Sequence, residues 1–471
     1  MDTAAGSKSD NGTTNDRKKF DKVIYVFNMA EDVWAFINSM SNAKERYDEI
    51  EICANLGDRE LLSTSDESDL VFISPKPIDP AFVEYFATLF GKRKLEILVP
   101  RLHSGEICKD ILRDDEVFNR IVELANSVKK LTLLSYTTSH QFLDLVARIR
   151  DRGVTVYTPE SPEEDCAWTV NFFGSKSGIR QLAQKSCAEE PDLIMADGLI
   201  CSDISDAAKI AANKYIKENG VVLKTNKGHT GMGVLIFRPG DLPATYNECR
   251  EAIYRILNQN EYWDKFSIII ESLLSVNHAV GGGFPSIEFK IRKSGEIELL
   301  YFCGMRVSRE GVFQGIELNE DVINDRIEAM VTDMGFYIGE QLASAGYRGY
   351  FDVDMVAAKN GKMYVTESNI RRTGGSHVYK SALKLIGKDF MIQSYIFSDN
   401  TYELPGQMRP DFVTLHRALA PVLFSRKTKE GVVIASANML QHGILAYIVF
   451  GASKKHALEI EARMKAIIAE L

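Results

Sequence analysis

Two alternating runs flank Asn360-Gly361, a dipeptide that favours a tight hairpin turn. In the first run Phe351, Val353 and Met355 point one way, and Asp352 and Asp354 the other. A two-residue turn at Asn360-Gly361 sets Asp354 directly opposite Glu367 and Asp352 opposite Asn369. Side chains so opposed lie about 4.5–5.5 Å apart at Cβ, and like charges there destabilise a sheet. Three carboxylates and an amide on one face therefore call for a cation, and oxygen-only ligands favour Mg²⁺ or Mn²⁺ over zinc. One strand aspartate alone would read as solvated. The opposed pair, followed by Arg371-Arg372-Thr373-Gly374-Gly375, reads as a metal site on this face, with Asp352 as a further candidate beside Asp354, Glu367 and Asn369.

The elements that must position this hairpin belong to a chain of 471 residues, long enough for two or three domains. The net charge of −9 argues against a protein that coats nucleic acid, because phosphate contacts need a basic footprint. Seven dispersed cysteines include no C-x-x-C pair and no zinc spacing, which fits reduced thiols and a cytoplasmic location. No apolar run approaches the roughly 18 residues of a membrane span. Residues 1–20 lack the apolar stretch of a signal peptide, and their composition predicts a disordered tail.

Residues 21–160 alternate strands with helices, which implies an open, mostly parallel, Rossmann-like sheet. The predicted strands are Val23–Phe27, Ile50–Ala54, Leu70–Ser74, Leu95–Val99, Leu131–Tyr136 and Val154–Tyr157. No G-x-G-x-x-G follows the first strand, which argues against a dinucleotide there. Ser161-Pro-Glu-Glu reads as a capping box opening a helix, and a second domain is placed at residues 161–396. Within it, a strand ending in Lys224 leads to Asn226-Lys227-Gly228-His229-Thr230-Gly231-Met232-Gly233 and then another strand. A glycine-rich turn lets backbone N–H groups approach phosphate oxygens, and without G-K-[ST] it is no P-loop. Glu288 reads as an exposed strand residue, with the active-site face as the alternative, and Arg306 as a holder of an anionic substrate or one half of a salt bridge. Residues 397–471 read as a small C-terminal subdomain carrying no visible chemistry.

The hairpin with Glu-Ser-Asn, the glycine flap and the strand ending Glu271-Ser-Leu-Leu274 together resemble the ATP-grasp superfamily. The continuation Asn369-Ile-Arg-Arg-Thr-Gly-Gly resembles the pheganomycin-type peptide ligases, whose relatives carry a Rossmann-like pre-ATP-grasp domain in front. The fold class implied is α/β: that domain, an α+β ATP-grasp core and a C-terminal piece. The resemblance implies ATP and Mg²⁺ (or Mn²⁺), held by Asp354, Glu367 and Asn369. It implies phosphate contacts from Lys176, Lys224, Gly228, Gly231 and Gly233, with His229 and Thr230 at the flap tip. It sets the base against Glu271 and Leu274 and the ribose near His278. Arg371, with Lys224 and Arg306, would stabilise the reacting groups. The activity implied is joining of a small-molecule or peptide carboxylate to an amine through an acyl phosphate, with a homo-oligomer left open. A small-molecule kinase, a non-catalytic ATP-binding module and an unrelated Ca²⁺-binding β-protein remain as alternatives.

Overall fold

A computed structural model of the chain describes residues 21–471 apart from 68, 92, 93 and 230; the side chains of Asp21 and His229 are likewise outside the description. The expected tail and Thr230 therefore lie outside the described residues. Five strands, β1 (Asp21–Val26), β2 (Asp69–Ile73), β3 (Lys94–Leu98), β4 (Lys130–Ser135) and β5 (Val156–Tyr157), form one parallel sheet in the order β3-β2-β1-β4-β5. The first sheet thus has the expected pattern, with its order reversing between β1 and β4. Helix α1 (Ala43–Asn55) occupies the segment where a strand at Ile50–Ala54 was predicted. Alternating Glu and Ile mimic a strand there, but Asn42 accepts hydrogen bonds from the amides of Lys44 and Glu45 and starts a helix that runs through them. Helix α2 (Pro80–Phe90) begins as its sequence requires, with Asp79 capping Ala81 and Phe82 and proline in the first turn.

Ser161 caps no helix. Its hydroxyl accepts from Thr138 at 3.0 Å, and the next α-helix starts only at Trp168. Helix α3 (Lys176–Ser186) then precedes a four-stranded antiparallel sheet. Its strands are β6 (Gly198–Cys201), β7 (Val221–His229), β8 (Met232–Phe237) and β9 (Ile268–Ser272), in the order β6-β9-β7-β8.

The third sheet has eight strands. They are β10 (Pro285–Ile291), β11 (Ile297–Val307), β12 (Phe313–Leu318), β13 (Gly349–Ala357), β14 (Met363–Asn369), β15 (Tyr395–Glu403), β16 (Gly431–Ile434) and β17 (Ile444–Gly451), ordered β14-β13-β10-β11-β12-β15-β17-β16. Helix α4 (Asp325–Ser344) packs its stripe of Val331, Met334, Ile338 and Leu342 on Phe289 and Phe351. Helix α5 (Ser376–Leu385) follows the hairpin, and α6 (Lys454–Ala469) ends the chain. β15 starts before the boundary expected at 397 and pairs with β12, so the C-terminal strands extend the same sheet.

Alternation gives the first sheet two apolar faces. Ile24, Val26, Val71 and Leu133 lie in a core of their own. Tyr25, Phe27, Phe72 and Phe82 belong to a second core shared with Val432, Ile448, Phe450 and Ile460 from the C-terminal end.

Glu160, just after β5, ties the parts together. It pairs with Lys290 of β10 and with Arg372 after β14, each at 2.6 Å, and both partners are largely buried. Burial works against its charge, but Arg372 and Lys290 outweigh it and bring its pKa down to about 2. Its stabilisation is therefore present above the usual carboxylate pKa near 4.5 and is lost as pH falls toward 2. Glu160→Gln is expected to lose on the order of 3 kcal/mol at pH 7, because it strands two buried cations. Urea denaturation should show this loss at neutral pH and a shrinking difference from the parent chain between pH 4.5 and 2.

Candidate active site

The acidic hairpin has the expected opposition, reached by another route. Asp354 faces Glu367 and Asp352 faces Asn369. The turn, however, is a three-residue loop: the Ala358 amide donates to the Lys362 carbonyl and the Gly361 amide to the Ala358 carbonyl, each at 3.0 Å. Only Gly361 has positive φ (81°), whereas the predicted two-residue turn needs it at both central positions. The extra loop residue moves the ladder by one, pairing Met355 with Val365. Thr366 then bulges out, its hydroxyl donating to the Asp354 carbonyl at 3.1 Å, and the register moves back. Without that bulge Glu367 would point to the opposite face.

Asp354 is buried, and its Oδ1 has no hydrogen-bond partner. Burial and then the facing Glu367 push its pKa up to about 7. Glu367 is held down to about 2, chiefly by Lys176, whose Nζ lies 3.0 Å from Oε2. An orphaned oxygen on one of two opposed carboxylates fits a cation held jointly by both. Asp352 serves its neighbour: its Oδ1 accepts from the Asn369 amide and Nδ2, each at 2.9 Å. Asn369 turns its NH₂ toward both aspartates and its Oδ1 toward Arg371 at 3.0 Å, so it could ligate a cation only with that amide reversed. Among the described residues no group of three or more His, Cys, Asp or Glu is placed around a metal position. Two carboxylates do suit Mg²⁺, which takes most of its ligands from water and phosphate.

These groups open on a cavity of about 1100 Å³ bounded by the two antiparallel sheets and by the segments that follow β1 and β4. Lys224 of β7 enters from one side, its Nζ 2.7 Å from Glu271 Oε2. The Glu271 side chain is buried between Lys224 and Arg180, and so steadies the lysine. Glu271 and the segment after it, which includes Leu274 and His278, run along the cavity wall. His278 is exposed and bonded to the Gly282 carbonyl at 2.9 Å. Gly228, Gly231 and Met232 bring the flap to the same cavity, and the Gly231 position abuts Val312 of the β11–β12 loop.

Arg371 links the hairpin to the first sheet. Its Nε donates to Asp32 at 2.6 Å and Nη1 to the Tyr136 hydroxyl at 3.3 Å, both at the β1/β4 reversal, where open α/β sheets bind ligands. Burial opposes its charge, but Tyr136 and Asp32 prevail and raise its pKa. Arg306 is not brought to the site. The strand alternates so that Met305 lines the cavity, while Arg306 binds the Ser398 carbonyl at 3.0 Å and stacks on Phe397.

Sequence reasoning missed several residues. Lys227 lines the cavity beside Asp32; burial lowers its pKa, Asp32 opposes that, and Lys176 and Arg371 lower it further. Asp32 carried a signal, since it sits just past the first strand at the ligand end of the sheet. Glu288, expected exposed, is 1 % exposed. It accepts from Tyr301, Thr373 and Ser376 at 2.8, 2.6 and 2.9 Å, and so pins the loop after Arg371 to β10.

No family model matches the chain. It is 24% identical over 388 residues to the L-propargylglycine–L-glutamate ligase of Streptantibioticus cattleyicolor, a match covering 78% of this chain and 74% of that protein. The fold matches the biotin carboxylase β,γ-ATP complex of Campylobacter jejuni with a TM-score of 0.57 at 12% identity, over 96% of this chain and 91% of that one. It matches the ADP complex of N5-carboxyaminoimidazole synthetase from Staphylococcus aureus with a TM-score of 0.52 at 9% identity, over 95% and 97%. The chain has the ATP-grasp fold. Here the flap sheet and the hairpin sheet both contribute residues to the cavity wall.

In this ATP-grasp fold the β7–β8 flap rests on the β11–β12 loop through a glycine with φ of 84°. A Cβ at Gly231 would lie 2.8 Å from Val312 Cγ2. Gly231→Val is expected to hold the flap off that loop, weakening ATP binding at least fivefold while moving the melting temperature little. Calorimetric ATP titration beside a thermal melt checks this; unchanged affinity would separate the flap from the nucleotide.

Proposed function

We infer that this chain is an ATP-dependent ligase that joins a carboxylate to an amine. One observation carries the reading: in a single cavity, the opposed Asp354 and Glu367, with one oxygen unpartnered, stand among Lys176, Lys224, Lys227 and Arg371. The named ligase relative, which by its name joins two amino acids, supports an amino-acid substrate, and the ADP- and ATP-bound neighbours support ATP.

Asp354 and Glu367 would hold Mg²⁺, with Asn369 joining if its amide turns. Once bound, the ion would neutralise charge on the phosphates and orient the γ-phosphoryl group. Lys176, Lys224 and Lys227 balance the remaining phosphate charge, and the backbone at Gly228, Gly231 and Gly233 lets the flap approach it. A carboxylate oxygen of the acid attacks the γ-phosphorus and ADP departs, leaving an acyl phosphate. The amine then attacks the acyl carbon, loses a proton and displaces phosphate. Arg371, held in place by Asp32 and Asn369, faces both steps with a charge that cannot be titrated away. The closed flap keeps water from the acyl phosphate.

Hydroxylamine tests this chemistry. With ATP, Mg²⁺ and an amino-acid panel, the chain is expected to give hydroxamate and phosphate in equal amounts. A stable phosphorylated product without phosphate release would instead mark a kinase. Glu367→Gln should lower turnover at least a hundredfold with unchanged circular dichroism, and full activity in that variant would remove the carboxylate pair from the mechanism.

A further inference from the structure

Lys176, Lys224 and Arg371 of the cavity are each paired with a carboxylate, whereas Arg59 and Lys227 form no such ion pair among the described residues. Arg59 lines the cavity and is 7 % exposed, yet its guanidinium forms no ion pair with a carboxylate among the described residues, and its Nε has no hydrogen-bond partner. The nearby Glu60 carboxylate accepts from the Tyr25 hydroxyl at 2.8 Å and feels Arg59 across space, without an ion pair between them. Nor is Arg59 loosely placed. The carboxylate of Asp58 accepts from the Arg59 amide at 2.7 Å and from the Ala437 and Asn438 amides at 2.6 and 2.7 Å, clamping this turn to the C-terminal segment. A rigid, buried guanidinium without an ion pair is costly unless an anion meets it.

Two further groups share this cavity. Gly374 and Gly375 open α5, whose amino end carries partial positive charge. Asn400 is 5 % exposed; its NH₂ points to the Gly374 carbonyl at 3.4 Å, and its Oδ1 has no partner. A guanidinium and a helix amino end want a carboxylate, while a free amide oxygen wants an N–H donor. An α-amino-acid head group offers both.

We propose that Arg59, the amino end of α5 and Asn400 hold the α-carboxylate and α-ammonium of the acid substrate, so that the carboxylate activated is a second one, on its side chain. This rests on the ligase reading for the activation step, but not for the binding. The substrate class is then a dicarboxylic amino acid, anchored by the end that does not react. Arg59 sets which acid is accepted, and Arg371 attends the acid that reacts.

The probes are L-aspartate, L-glutamate and L-2-aminoadipate, each against the amino acid left when its α-carboxylate is removed: β-alanine, 4-aminobutyrate and 5-aminovalerate. Binding is measured calorimetrically on the full chain with Mg²⁺ and a non-hydrolysable ATP analogue, so no turnover is needed. At least one dicarboxylic member is expected to bind tenfold or more tighter than its partner. Arg59→Met should reduce that preference below threefold, Arg59→Lys should restore part of it, and Asn400→Ala should weaken both members of a pair, because each keeps the ammonium. Equal binding within every pair, no binding by any dicarboxylic member, or a preference that survives Arg59→Met overturns the proposal. In hydroxamate assays Arg59→Met should raise KM for the preferred acid at least tenfold with kcat changed less than threefold. A chain that binds the preferred acid but forms no hydroxamate would refute the ligase reading and leave the binding site standing.

Discussion

Two carboxylates facing each other across a buried hairpin are unfavourable unless a positive charge lies between or beside them. Much of the site can be read as an answer to that repulsion. Lys176 is drawn to Glu367, Asp354 is left with its charge suppressed, and Asn369 is held by Asp352 within reach of both. Such a hairpin costs stability by itself, and it persists because the surrounding sheet over-determines it. Phe351, Val353 and Met355 are fully buried on the opposite face, so the acidic residues cannot rotate away without exposing them.

The same logic orders the cations. Lys224 is paired to Glu271, Arg371 to Asp32 and Arg372 to Glu160. Each pair fixes a long, otherwise mobile side chain in one place, which is the preorganisation that charge stabilisation requires. The hydroxyl cage around Glu288 does this for the backbone, holding the turn from Arg371 into α5.

Local pattern made much of this legible. The opposition of Asp354 and Glu367 followed from alternation and turn position, although the sequence suggested a two-residue turn where a three-residue loop and a bulge at Thr366 give the same pairing. Parity survived because the two irregularities cancel. The flap could be placed from its glycines, and the first sheet from its alternating strands and helices. What was not legible depended on contacts distant in sequence. Nothing beside Glu288 announced three hydroxyls from β11 and the Arg371 loop. Nothing beside Arg59 announced that it would go unpaired, and Arg306 was misplaced because one step of strand alternation turned it toward Ser398. The strand expected at Ile50 failed because a helix cap at Asn42 outweighed alternation.

The first sheet shares one of its two cores with residues as far along as Ile468. On the ribosome that arrangement imposes a delay. The face made by Ile24, Val26 and Val71 can close as soon as its own helices emerge, because every partner lies within the first third of the chain. The face made by Tyr25, Phe27 and Phe72 is packed early by Phe82 and Phe86, but its core is completed only when Val432, Ile448, Phe450 and Ile460 have been made. A nascent chain stalled after the hairpin would therefore display part of that core uncovered, an apolar surface of the kind that chaperones bind and that aggregates form from.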